Sequence, residues 1–329
     1  MDITKDPTRN LALELVRVTE AAALASGRFM GRGDKEGADG AAVNAMRIVL
    51  QTIDMNGVIV IGEGEKDNAP MLYNGEQVGN GSGLDFDVAV DPIDGTRPLA
   101  FGRSNSLATV AIAPRGSMFD PGPFVYMNKI AVGPEAKGMI DIEKPVTENL
   151  KAIAKAKRKD VEDLTTIVLD RDRHKDVIAE IRKAGARIRL IPDGDVAAAL
   201  MTAQPESGVD VLIGIGGTPE GVIAACALRA MGGEIQGKLY ARDEEELRRG
   251  REAGYDFDKI LTMDDLVSSE DVFFTATGIT DGELLQGVRY FGTSASTDSL
   301  VVRGMTGTVR QITATHQIDK LRQLSAFKY

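Results

Sequence analysis

Between residues 166 and 231 the chain alternates short apolar runs with helical stretches, and this rhythm constrains the fold more than any single motif. Residues 166–169 are a strand-like run, 175–183 carry helical spacing and stop at Gly185, and 187–191 are extended again. The pattern returns at 209–215, followed by the loop Gly216-Gly217-Thr218 and a helix from 219 to about 231, with Pro219 suited to a first helical position. Units of this kind favour parallel pairing, with functional groups gathered at strand ends. An α/β fold is therefore expected. At 329 residues the chain exceeds the size at which one core usually keeps growing, so two packed subdomains are expected, 1–160 and 161–329, with the charged stretch 155–160 as their boundary.

Apolar residues at Leu11, Leu15, Val18 and Ala22 predict an amphipathic helix over 8–25, with Thr8 as its cap. A loop rich in glycine and charge, 31–40, precedes a second helix whose apolar face holds Val43, Met46, Leu50 and Ile53. Asp39 opens that helix, where its carboxylate can cap exposed backbone N–H groups. Strands are expected at 57–61, 85–90, 106–113, 129–132, 272–277, 299–302 and 308–313, and a helix capped by Thr147 at 147–158.

Acidic residues collect where strands end. Glu63, Glu65 and Asp67 follow the run 57–61, and Asp91-Pro92-Ile93-Asp94-Gly95-Thr96 stands where the strand 85–90 breaks into a turn. Two carboxylates and a hydroxyl at such a turn can converge on a hard cation. The same residue types also build ordinary turns, so both readings stand on these six residues. Lys and Arg number 39 against 49 Asp and Glu, a net charge of −10 that disfavours nucleic-acid and anionic-membrane partners. Cys226 is the only cysteine, which excludes an intrachain disulfide and leaves a buried or a reactive thiol. With only His174 and His316, a His-rich zinc site is disfavoured and oxygen ligands for hard metals remain. Glu14, Arg17 and Glu20 interrupt the N-terminal apolar stretch and nothing later reaches a membrane span, so a cytoplasmic protein is expected.

Gly62-Glu63-Gly64-Glu65 followed by the 91–96 turn resembles the lithium-sensitive, metal-dependent sugar and inositol phosphatase superfamily. Longer blocks, Gly31-Arg32-Gly33-Asp34-Lys35, residues 38–47, 61–65, Ile191-Pro192-Asp193-Gly194-Asp195 and residues 214–221, are similar to the class II fructose-1,6-bisphosphatases of bacteria, in order and through almost the whole chain. The resemblance implies a sugar-phosphatase fold of alternating α/β/α/β/α layers, and removal of the 1-phosphate of fructose 1,6-bisphosphate in gluconeogenesis. It implies that Asp39 and Glu63 hold one divalent metal, Mg2+ or Mn2+, and Asp91, Asp94 and Glu220 another. Thr96, helped by Asp67, would position the attacking water, with Lys35 stabilising charge nearby. The sugar and its distal phosphate would meet Asp94, Gly95, Thr96, Tyr126, Arg171, Asp172, Arg173, Asp193, Gly194, Asp195 and Gly217. Without the resemblance, Tyr126 reads first as a core aromatic, the 171–173 turn equally as a solvated basic turn, and Asp193 and Asp195 as residues that a plain turn would also use.

Asp94 is one methylene shorter than the Glu that many members carry. The chain has no Trp, hence no Trp-Asp motif of the inositol branch, and Glu220 takes that ligand's place. The family habit implies a homo-oligomer, a dimer or tetramer. Two alternatives stand beside this reading: a bisphosphatase that also accepts sedoheptulose 1,7-bisphosphate, and a non-catalytic sugar-phosphate or dinucleotide binder suggested by Gly214-Ile215-Gly216. The dinucleotide fingerprint fails where its third glycine should stand, at Pro219.

Overall fold

The computed structural model describes residues 10–63 and 71–324, so Thr8, Glu65 and Asp67 lie outside the described residues. Helix α1 (Ala12–Ser26) begins beside Asn10, whose side-chain oxygen accepts the Ala12 N–H at 3.1 Å. Helix α2 (Lys35–Leu50) starts a turn earlier than the sequence suggested. Asp34, in extended conformation, accepts the Gly37 N–H at 2.8 Å and is the cap, which puts Asp39 inside the helix instead of at its start.

The first sheet begins with β1 (Asn56–Ile61), β2 (Gln77–Val78) and β3 (Asp85–Asp94); the short helix α3 (Thr96–Ala100) and β4 (Leu107–Pro114) follow. The chain then builds a second sheet from β5 (Tyr126–Val132), α4 (Val146–Lys157), β6 (Thr165–Leu169), α5 (Lys175–Ala184), β7 (Arg187–Ile191), α6 (Asp195–Met201), β8 (Val211–Gly217), α7 (Thr218–Met231) and β9 (Glu234–Leu239). Helices α8 (Glu244–Glu252) and α9 (Met263–Leu266) lead back to the first sheet, which β10 (Phe273–Gly278), β11 (Arg289–Phe291), β12 (Ser294–Arg303) and β13 (Thr308–Gln317) complete before α10 (Ile318–Leu324).

Strand order is β11-β12-β10-β4-β3-β1-β2 in the first sheet, with β13 also on β12, and β7-β6-β8-β5-β9 in the second. The expected parallel pairing holds for β6 with β7 and with β8, whereas β5 runs antiparallel to both β8 and β9. The chain passes between sheets after β4 and again after β9, not at the charged stretch near residue 160. Helix α4 starts at Val146 after Pro145, and Thr147 does not cap it: its N–H goes to Glu180 Oε1 of α5 at 2.9 Å.

The layers alternate α/β/α/β/α, as the resemblance implied. Helices α1 and α2 cover one face of the first sheet, packing Leu15, Val18, Val43 and Met46 against Val88, Val110 and Ile112. Helices α4 and α5 cover the outer face of the second, with Leu150, Ile153, Ile178 and Ile181 against Ile130, Val168 and Val211. Between the sheets lie α6 and α7. A helix with a sheet on either side must be apolar all round, and residues 222–228 of α7, Val-Ile-Ala-Ala-Cys-Ala-Leu, are all buried. Cys226 belongs to that layer; burial pushes its thiol up to about 12, so it is an inert packing residue. Among the described residues no helix is long and apolar enough to cross a membrane.

Candidate active site

The acidic turn is built differently from a simple strand break. Strand β3 continues past Asp91 to Asp94, and a bulge lets three steps of β3 span two of β4: Asp91 lies opposite Thr109 and Asp94 opposite Leu107. Bulges redirect side chains. Within this one, Asp91 Oδ1 accepts the Ile93 N–H at 3.1 Å. Gly95 then takes a left-handed conformation, φ +90°, and opens α3. Its carbonyl accepts the Ser106 hydroxyl at 2.8 Å, which anchors the turn to the start of β4. Thr96 is the first residue of α3, and its hydroxyl donates to Asp39 Oδ1 at 3.2 Å. Displacing Asp39 from the cap into the helix body is what lets it meet Thr96.

Asp94 is 3% exposed, and its Oδ2 accepts the Ala197 N–H from the first turn of α6 at 3.3 Å. Both carboxyls of the bulge are pushed well above the usual carboxylate range. For Asp91 the first cause is burial, followed by the charges of Asp94, Glu63 and Glu220; although half-buried by surface area, it is densely surrounded by protein atoms. For Asp94 burial again comes first, then Asp195, Glu220 and Asp193. Acids from β3, from the end of β1 and from the first turns of α6 and α7 therefore share one electrostatic neighbourhood. Glu220 folds back over the start of its own helix, filling space that a Cβ on Gly217 would occupy. Among the described residues no three acids stand close enough to form a finished metal-ligand group. The donor set is nevertheless all oxygen, desolvated and mutually repelling, which fits hard divalent cations.

On the second sheet, the Arg173 guanidinium lies 5.2 Å from the centroid of the Tyr126 ring and donates to the Ile215 carbonyl at 2.8 and 3.3 Å. Arg171 Nη2 is 3.9 Å from Asp193 Oδ1. Burial raises the Asp193 carboxyl, and Arg171 partly opposes the rise. His174, fully buried, fixes the basic turn: Nδ1–H donates to Leu169 O at 2.7 Å and Nε2 accepts Ile215 N–H at 2.8 Å, the neutral tautomer these partners require. Burial lowers its pKa accordingly. Asp172 stands outside this grouping. Its side chain is 93% exposed and pairs with Lys175 at 2.8 Å, which holds its carboxyl below the usual range. Lys35 is exposed at the start of α2, with Nζ 5.8 Å from the centroid of the Phe101 ring.

Gly194, left-handed at φ +86°, opens α6, and Gly217 opens α7. Gly214-Ile215-Gly216 lies within β8 instead of forming a phosphate-cradling loop, and helix α7 begins at Thr218, so the expected loop 216–218 is not one. Asp195 is only 5% exposed, and its Oδ2 lies 2.5 Å from Lys129 Nζ. Lys129 is absent from the sequence-derived set. Its one sequence signal is a lone lysine inside the run Met127-Asn128-Lys129-Ile130-Ala131-Val132. Arg97 of α3 is also absent from that set, and its charge favours the ionised form of Asp193.

A family profile described as bacterial fructose-1,6-bisphosphatase, glpX-encoded, matches residues 9–316. The chain is 48% identical over 325 residues to the fructose-1,6-bisphosphatase 1 class 2 of Escherichia coli, an alignment that covers 95% of this chain and 96% of that protein. The fructose-1,6-bisphosphatase class 2 of Shigella flexneri matches at the same 48% over 325 residues.

Proposed function

The chain belongs to the bacterial class 2 fructose-1,6-bisphosphatase family, and from that premise we propose how its residues divide the work of hydrolysing the 1-phosphate of fructose 1,6-bisphosphate to fructose 6-phosphate and phosphate, in the gluconeogenic direction. The observation that carries the assignment is the electrostatic grouping of Glu63, Asp91, Asp94 and Glu220 at element ends, where burial and mutual repulsion raise Asp91 and Asp94 together. Such a cluster is unfavourable by itself and becomes favourable with a divalent cation.

In this reading Asp39 and Glu63 hold one cation and Asp91, Asp94 and Glu220 a second, with Mg2+ or Mn2+ as the ions. When bound, these ions neutralise phosphate oxygens and lower the pKa of coordinated water. Thr96, oriented by its hydrogen bond to Asp39, keeps lone pairs free to accept a hydrogen bond from the attacking water and so aims it at phosphorus. Asp67 is assigned to help Thr96 position that water. Lys35 lies one helical turn before Asp39, and its ammonium complements the charge that develops on the transferred phosphoryl group.

Arg171 and Arg173 present planar, multi-donor heads suited to the distal phosphate, and Tyr126, beneath the Arg173 guanidinium, offers a hydroxyl to the sugar. Asp193 and Asp195 accept from sugar hydroxyls, while Gly95, Gly194 and Gly217 let the backbone approach the ligand without a Cβ in the way. Asp172 is the weakest member of the set, because its carboxylate is engaged by Lys175 at the surface. A cytoplasmic location and a homo-oligomeric assembly complete the reading; light scattering on the purified protein measures the second.

The test is phosphate release from fructose 1,6-bisphosphate with Mg2+ or Mn2+, run beside sedoheptulose 1,7-bisphosphate. Activity that persists undiminished after chelation overturns the metal assignment, and release from the seven-carbon sugar at a comparable kcat/KM would broaden the substrate.

A further inference from the structure

Burying an ammonium costs several kcal/mol unless it is paired. Lys129 of β5 has a side chain only 2% exposed and two partners: Asp195 Oδ2 at 2.5 Å and the Gly217 carbonyl, which accepts from Nζ at 2.9 Å. In the β5–β8 register Lys129 lies opposite Gly214, so its chain runs along β8 for three residues before meeting Gly217. Gly216 makes room on the way. A Cβ there would lie 2.0 Å from Asp195 Oδ2 and 2.8 Å from Lys129 Cε, so the ion pair occupies the space a side chain would need.

Asp195 is the first residue of α6 and Gly217 the residue that opens α7. One buried ammonium thus joins the starts of both helices between the sheets. The joint is uneven in character. Asp195 Oδ2 is sealed from solvent and accepts no aligned hydrogen bond, so its contact with Lys129 is ionic. Lys129 engages this sealed oxygen, which leaves Oδ1 as the oxygen available to a sugar hydroxyl.

We propose that Lys129 is a positioning residue for sugar recognition: anchored on the Gly217 carbonyl, its ammonium fixes the rotation of the Asp195 carboxylate so that Oδ1 meets a hydroxyl of the bound sugar phosphate. The inference rests on the bisphosphatase reading above and deepens it. Lys129 does not touch the substrate, and its effect is transmitted through Asp195.

The experiment is a double-mutant cycle on the metal-loaded enzyme, measuring KM and kcat for fructose 1,6-bisphosphate in wild type, Lys129→Met, Asp195→Asn and the double variant. Lys129→Met is expected to raise KM by about tenfold or more, with kcat changed by less than about threefold. In the Asp195→Asn background the same change is expected to move KM by less than about twofold, because the residue it acts through has already lost its charge. Effects that multiply across the cycle overturn the proposal, and so does an unchanged KM in Lys129→Met. Should Lys129→Met fail to fold because Asp195 is left buried and uncompensated, the comparison of Asp195→Asn with the double variant decides alone: equal KM values support the proposal, and a KM several-fold higher in the double overturns it. Lys129→Arg, which keeps the charge, is expected to recover part of the lost affinity. A wild type that releases no phosphate overturns the bisphosphatase reading and this inference with it, whereas an active wild type with a multiplicative cycle overturns the inference alone.

Discussion

Glu20 is an acid that the proposed chemistry does not use. It sits in α1, 9% exposed, facing Thr297 of β12, His316 of β13 and Arg17 of its own helix. The Thr297 hydroxyl is 3.4 Å from Glu20 Oε1 and 2.8 Å from His316 Nε2. Burial raises the Glu20 carboxyl to about 7, against a small opposing effect from Thr297 and Arg17, and burial also lowers His316. Because the folded-state pKa lies above the unfolded value of 4.5, the fold binds this proton more tightly than the unfolded chain does. The corresponding stability is fully present below pH 4.5 and is lost as pH rises towards 7. Integrated to pH 8, the loss is about 3 kcal/mol; at pH 4 it is close to zero. Glu20→Gln imitates the protonated acid and keeps an acceptor for Thr297. It should match wild type at pH 4 and exceed it at pH 8, by about 5 °C in melting temperature for a chain of this length. Thermal unfolding followed by circular dichroism across pH 4–8 reads both curves. Curves that stay parallel throughout would refute the reasoning, since Glu20 would then be ionised in the fold, with Arg17 or a charged His316 as its counterion.

Asp91→Asn should raise the melting temperature of the chelated protein at pH 7.5, because it removes a carboxyl whose ionisation burial and its acidic neighbours oppose, while lowering activity at least about a hundredfold; a chelated variant that melts below wild type would contradict this. Ile223→Ala, in the fully buried middle of α7, should cost about 2–5 kcal/mol in urea unfolding, and a loss under 1 kcal/mol would mean that the layer between the sheets is loosely packed. Cys226 should resist a thiol reagent in native buffer and react promptly in denaturant, so rapid native labelling would show that α7 is not sealed between the sheets.

The layer order was legible because several signals agree: short strand-like runs at 166–169 and 209–215, Gly185 closing α5, and Pro219 at the start of α7. The helix cap at Asp34 was less so. Asp34 and Asp39 are both acids near a helix start, and only the hydrogen bond to Gly37 distinguishes them. Helix α6 escapes the amphipathic pattern because its residues 195–201 are all buried, leaving no polar stripe to set the period. Strand β9 has the opposite character. Ile235, Gly237 and Leu239 alternate with Glu234, Gln236 and Lys238, a plain period of two that the expectations above omit. The bulge between Asp91 and Asp94 leaves no local signal, since it is defined by register against β4. The acids were found by type and position at element ends, whereas Lys129 was missed because a charge on a strand buried on both faces departs from every pattern used to find surface or site residues.

The order in which the two sheets are laid down has a consequence for synthesis. Strand β4, whose residues 107–113 are all buried in the finished protein, pairs Leu107 with Gly278 and Ile112 with Phe273. Every strand of the second sheet is made before those partners exist. On the ribosome, therefore, the second sheet can close while the first still presents β4 as an apolar, unpaired edge. A nascent or truncated chain that stops short of residue 273 keeps that edge open, the kind of surface on which chains pair with one another instead of with themselves.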